Sequence, residues 1–155
     1  MSFLADDLIA TARRLARANP KKPRQAELRR AVSTAYYALF HALARNCADL
    51  FVGTGDARSD GAWSQVYRAL EHGFAKNACV QAAALGFHVH VVIAADQFVL
   101  LQEERHRADY DPDTRYTRAQ ALQIIQNSED AVAALRTAPK KDQRAFAVLL
   151  TMKRR

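Results

Sequence analysis

Apolar positions recur at three- and four-residue steps along most of the chain, and the longest such run is the most informative. Leu28, Val32, Ala35, Tyr36, Leu39, Leu43, Cys47 and Leu50 fall on one face of a helix. Arg30, Thr34, Tyr37, His41 and Arg45 recur at the same steps on a neighbouring face. That second stripe mixes cations, an imidazole, a phenol and a hydroxyl, where a merely solvated face more often carries Glu and Lys. The spacing predicts one long helix over residues 25–51.

The rest of the chain also reads as helix. Residues 3–18 carry Leu4, Leu8, Ala12 and Leu15 as an apolar stripe, and the prolines of Asn19-Pro20-Lys21-Lys22-Pro23 stop it. Gly53, Gly55 and Gly61 mark a polar loop, after which Asp60 is placed to cap a helix over 62–72 that Gly73 ends. Residues 74–85 read as irregular or as a short helix, and Gly86 precedes a nearly all-apolar helix over 89–107. A helix apolar on most sides is expected at the centre of a bundle. Asp96 inside it then calls for a buried partner. Thr117 and Gln120 form a capping box that opens a helix to residue 136, and Pro139 suits the first position of a last, basic helix. The expected fold class is all-α: an antiparallel bundle of five or six helices. It forms a single domain over 1–155, with a core over 26–137 and a C-terminal basic helix over 139–154.

Composition narrows the function classes. Apolar residues make up 50% of the 155 positions, enough for one core without metals or disulfides. The two cysteines, Cys47 and Cys79, give neither a disulfide framework nor zinc-ligand spacing, so a reducing cytoplasm is the expected compartment. The start Met-Ser-Phe-Leu-Ala-Asp-Asp lacks the basic region of a secretory signal, and the apolar run 91–101 is too short to span a bilayer. The formal charge of +7 favours anionic partners, RNA above all, and gathers at residues 13–30, 105–118 and 140–155.

Two segments carry a resemblance. The run Arg29-Arg30-Ala31-Val32-Ser33-Thr34-Ala35-Tyr36-Tyr37-Ala38-Leu39-Phe40-His41-Ala42 is one. The run Leu101-Gln102-Glu103-Glu104-Arg105-His106-Arg107-Ala108-Asp109-Tyr110-Asp111-Pro112 is the other. Together they resemble the HEPN superfamily, and within it an uncharacterised bacterial branch. The resemblance implies a helical bundle that dimerises about a two-fold axis, with a groove near that axis. Many HEPN proteins are metal-independent ribonucleases of toxin–antitoxin, CRISPR or phage-defence systems. Others are non-catalytic partners of small nucleotidyltransferases, or bind nucleotides or RNA. Catalytic members carry an arginine followed, after four to six residues, by a histidine. No arginine precedes His41, His72, His88, His90 or His106 at that spacing. With Arg105 in the arginine position, Tyr110 stands near the histidine's place, and a phenol with a pKa near ~10 is a poor general base.

These residues define three expected functions. The first is a dimeric RNA- or nucleotide-binding protein of a toxin–antitoxin or defence system, with little or no catalysis and a nucleotidyltransferase-type antitoxin as partner. Arg30, Tyr37, His41, Arg107 and Asp109 would bind the nucleic acid. The second is a metal-independent ribonuclease, in which Arg105 stabilises charge while His41 or His106, with Tyr110 nearby, serves as acid or base. The third is a protein-interaction module for an acidic partner. Tyr37 and His41 form the expected dimer seam, and Arg105 and Tyr110 are expected to approach the Arg30/Tyr37/His41 stripe. Bland readings stand beside these. Arg105, His106 and Arg107 suit a helix C-terminus, with Arg105–Asp109 and Glu103–Arg107 as four-residue ion pairs. Arg68 and His72 read as surface. No cofactor or metal is called for. Asp109, Asp111 and Asp113 imitate half a calcium loop, but Thr114 and Gln120 replace its glycine and glutamate. His88 and His90 point two ways on a helix.

Overall fold

The long apolar stripe lies at the centre of the molecule. A computed structural model describes residues 3–153. The two ends of the expected domain 1–155 and the last residue of the expected helix 139–154 lie outside the described residues. Among the described residues there are seven helices and no strand. They are α1 (Leu4–Arg17), α2 (Gln25–Val52), α3 (Asp60–Arg68), α4 (His72–Gln81), α5 (Val89–Tyr110), α6 (Arg118–Thr137) and α7 (Lys140–Thr151). The all-helical class stands, with more helices than the five or six expected.

The additional helix comes from a break at Leu70. The expected segment 62–72 stops at Arg68, Leu70 turns into the core at 5% exposure, and α4 starts two residues later. Gly73 therefore lies inside α4 rather than ending a helix. The cap of α3 is Ser59, whose hydroxyl accepts from the Ala62 amide at 3.3 Å, while Asp60 pairs with Arg58 at 3.0 Å. Asp60 cannot cap because it already has helical backbone. The Thr117–Gln120 capping box forms as read, with both reciprocal bonds present. Pro139 is the residue just before α7, its carbonyl accepting from the Asp142 and Gln143 amides.

α2 packs against α1, α3, α5, α6 and α7. Every member of its expected core stripe except Leu50 is buried. Contacts along its length fix the directions of its neighbours. Asn19 after α1 meets Glu27, whereas Phe3 before it meets Arg45. Ser33 meets Asp109 late in α5, and Ser128 in the middle of α6 donates to the Ala35 carbonyl at 2.6 Å. Hence α1 and α5 run antiparallel to α2, and α6 runs with it.

Alanine dominates the seams. α1 buries Ala5, Ile9, Ala12 and Ala16, leaving Leu4 48% exposed, so the face turned to the core lies one position on from the leucine stripe expected. Small side chains let helix axes approach closely, and the bulkier leucines then flank the seam. α5 buries Val91, Ala94, Ala95, Phe98 and Leu101 against α2, α4 and α6. It is not enclosed on all sides: Val89, Ile93 and Leu100 are exposed. Asp96 shares that open face, so it needs no buried partner. No described helix is long and apolar enough to cross a membrane.

One arginine locks α5 to α2. The last carbonyls of a helix lack intrahelical partners. Arg29 donates to the Ala108 carbonyl at 3.0 Å, to Arg107 at 3.5 Å, to Pro112 at 3.3 Å and also to Thr114. Arg29→Ala should cost about 2 kcal/mol, read as a lower urea midpoint at unchanged slope. Arg29→Lys should recover only part, because a point ammonium cannot fork across several carbonyls.

Candidate functional site

A polar and aromatic cluster lies where α2, the first turn of α4 and the last turns of α5 meet. The helical spacing puts Ser33, Tyr36, Tyr37 and Phe40 on adjoining parts of α2. Tyr36 is fully buried. Its hydroxyl lies 2.5 Å from His72 Nδ1, at the first residue of α4. Phe40 stacks on the same imidazole with ring centres 4.3 Å apart. Arg105 spreads over the rings of Tyr36 at 5.1 Å and Tyr37 at 5.9 Å. Its guanidinium stands 4.0 Å from Asp109 Oδ2, an oxygen that also accepts from the Ser33 hydroxyl at 3.3 Å.

Protonation states follow from burial. Burial pushes the Tyr36 phenol far above its usual range, and nearby Arg105 only partly opposes this. The phenol therefore stays protonated, and its oxygen is hydrogen-bonded to His72 Nδ1. Burial also lowers the His72 pKa, with the fields of Arg105 and His41 adding to it. His72 is thus a neutral imidazole at pH 7. Arg105 is mostly enclosed, its side chain 14% exposed, and its Nε is buried without a hydrogen-bond partner. What results is a fixed cation backed by two aromatic faces and flanked by an imidazole and a carboxylate.

The structure sorts the residues singled out from sequence. Arg105 does meet the α2 stripe at Tyr37, and its ion pair with Asp109 forms at the four-residue spacing expected. Tyr110 does not join them: it is 68% exposed and its ring pairs with that of His106 at 5.1 Å. His106 and Tyr110, one turn apart, turn to solvent on a face of α5 different from that of Arg105. Arg107 pairs with Glu104 rather than Glu103, which instead meets Lys76 at 3.6 Å. Arg30 is exposed, with no side-chain partner among the described residues; the neighbouring Arg29 makes the contacts.

His41 lies one turn beyond Tyr37, where its Nδ1 lies 2.5 Å from the Tyr67 hydroxyl on α3. Burial raises the Tyr67 pKa and lowers that of His41, so a protonated phenol meets a neutral imidazole here too. His72, read as surface from sequence, is the imidazole nearest Arg105's aromatic bed. No local spacing links the two, since they meet only through the fold. Tyr36 was legible as core, and the one extra signal was its hydroxyl, which a buried site obliges to find a partner.

The acidic run after α5 is a turn. Asp111 accepts from the Asp113 amide at 2.9 Å and the Thr114 hydroxyl at 2.6 Å. His88 caps α5 by accepting from the His90 amide. Among the described residues no group of three or more His, Cys, Asp or Glu side chains is gathered to hold a metal ion. Comparison of the chain with family models, with curated proteins and with solved structures returned no match.

The depressed histidines set a pH dependence. The folded state holds His41 and His72 below the ordinary value of 6.5, so the unfolded chain binds more protons as pH falls. Their contribution to stability is whole above about pH 6.5 and is lost as pH drops toward the folded values. Urea midpoints should fall from pH 7.5 to pH 5.5, and the His41→Gln and His72→Gln variants should each show a shallower fall. The Glu129 carboxylate, held below 4.5 chiefly by Arg13, titrates beneath this window.

Proposed function

We propose that this chain is a HEPN-like, dimeric RNA-binding protein of a toxin–antitoxin or defence system, with little or no catalysis. Arg105 is the observation that carries the reading. A guanidinium held over two phenol rings, its side chain still 14% exposed, is oriented to meet a phosphate oxygen. Tyr37 beside it offers an aromatic face for a base, and the charge of +7 supplies the long-range attraction that RNA binding draws on. A nucleotidyltransferase-type antitoxin is the partner that suits this setting, and the cytoplasm the compartment.

Weak catalysis follows from protonation. In-line cleavage needs a base for the ribose 2′-hydroxyl and an acid for the leaving oxygen. His41 and His72 are both driven to the neutral form, so neither is a ready acid at pH 7. One observation favours the ribonuclease as a second reading: His72 bonds to the same phenol that Arg105 covers. In that case His72 replaces His106 and Tyr110 as the base, and Arg105 stabilises the developing charge.

Two assays without divalent metal separate these readings. Arg105→Ala should weaken binding of single-stranded RNA and flatten its salt dependence by about one phosphate contact. Cleavage should be slow or absent. Rapid cleavage lost in His72→Gln makes the protein a ribonuclease, and no RNA binding at low salt leaves the module for an acidic protein partner.

Dimerisation is part of the reading. The Tyr37/His41 seam is half-buried, and a further apolar surface is the open face of α5. There Val89, Ile93 and Leu100 repeat at helical steps. Light scattering at micromolar concentration should give about twice the chain mass of 17.3 kDa, and Ile93→Asp should halve it.

A further inference from the structure

A groove of about 700 Å³ lies between α4 and α7 and shares no residue with the Arg105 cluster. Both helices turn a face to it. Phe74, Asn77 and Gln81 line it from α4, and Asp142, Ala145, Val148 and Met152 from α7, in each case at steps of three or four residues. The α4–α5 connection adds Leu85 and Phe87, the latter anchored on the buried Phe146 ring at 5.9 Å.

Much of this groove is apolar. Leu85, Val148 and Met152 each keep about half of their surface open there. Single exposed apolar residues are ordinary, but a cluster of them rimmed by polar groups marks a contact surface. Asn77, Gln81, Asp142 and Lys153 supply that rim.

The shape and charge of the groove describe what covers it. It follows α7 from Asp142 in the first turn to Lys153 just past the end. At the rise of a helix that interval is roughly 16 Å, about three turns. Neither charge has an ion-pair partner among the described residues. Those residues also contain no strand whose edge an extended peptide could lengthen. A helix fits instead, with its apolar row in the groove and its charged ends at Asp142 and Lys153. Helices favour acidic residues in the first turn and basic ones in the last. Such a helix satisfies both rim charges only when it lies antiparallel to α7. A second copy of this chain does not supply it. The open face of α5 has no acidic residue in its first turn and carries Asp96 further along. Helices α1 and α3 have the right charge order, but each is packed on α2.

We propose that the α4–α7 groove docks an amphipathic helix of a partner protein, antiparallel to α7, with its acidic first turn at Lys153 and its basic last turn at Asp142. This docking stands whether or not Arg105 binds RNA.

The probe is a fluorescein-labelled synthetic helix of about 15 residues, roughly four turns. It has leucines at steps of three and four, glutamates in its first turn and lysines in its last. Its anisotropy should rise saturably with the intact protein, with a Kd below about 100 µM. A second peptide exchanges the two charged ends and should bind about 3- to 10-fold more weakly. Protein carrying both Asp142→Lys and Lys153→Asp should reverse that order, which separates the charges of the groove from any difference in the helicity of the peptides. Val148→Asp, a change at a half-open position in mid-groove, should weaken the first peptide at least ~10-fold. Ile93→Asp on α5 should leave it unchanged. No saturable binding overturns the proposal. So does an order of the two peptides that the charge exchange leaves unmoved, or a loss in Ile93→Asp rather than in Val148→Asp. A light-scattering mass that Val148→Asp lowers from dimer to monomer also overturns it, by seating a second copy in the groove.

Discussion

A buried phenol must keep its hydroxyl hydrogen-bonded, and Tyr36 is the buried phenol around which this bundle is arranged. Its partner is His72, the first residue of α4. The start of α4 follows the break at Leu70 and the short α3 before it. The ring of Tyr36 then forms the bed for Arg105. A guanidinium can tolerate so enclosed a place because it is weakly hydrated and lies over aromatic faces, with a carboxylate 4.0 Å away. One buried tyrosine thus ties the start of α4 to α2 and carries the cation of α5 on its ring.

The sequence made much of this legible. Helical periodicity located α1, α2, α5, α6 and α7 because each runs long enough for its apolar face to repeat several times. It placed the break within residues 60–81 at Gly73, whereas the chain breaks at Leu70, in a pattern too short to carry a phase. Glycine misled at Gly73, since a glycine is tolerated in a helix that tertiary contacts hold. The leucines of α1 misled in the opposite sense: the core chose the alanine face because close approach of two helices outweighs the area of one exposed side chain.

Site residues divide the same way. Arg105 and Asp109 were readable because four residues on a helix bring their side chains together. His72 was not, because its relation to Tyr36 and Arg105 exists only in three dimensions. Arg29 and Arg30 are indistinguishable as letters, yet a rotation of about 100° on the helix turns one onto the end of α5 and the other to water. Likewise His41 and Tyr37 share a stripe but meet different neighbours, one Tyr67 and the other Arg105.

The alanine seams have a thermal consequence. A buried alanine removes little apolar surface from water, so a core built on alanine changes its hydration less on unfolding than one built on leucine and phenylalanine. The heat-capacity increment of unfolding scales with that surface and is roughly 12–15 cal/mol/K per residue in ordinary domains. Twenty of the buried core positions here are alanine. The increment for this chain therefore lies toward or below the lower end of that range. Its free energy of folding consequently varies gently with temperature, with cold and heat unfolding set far apart.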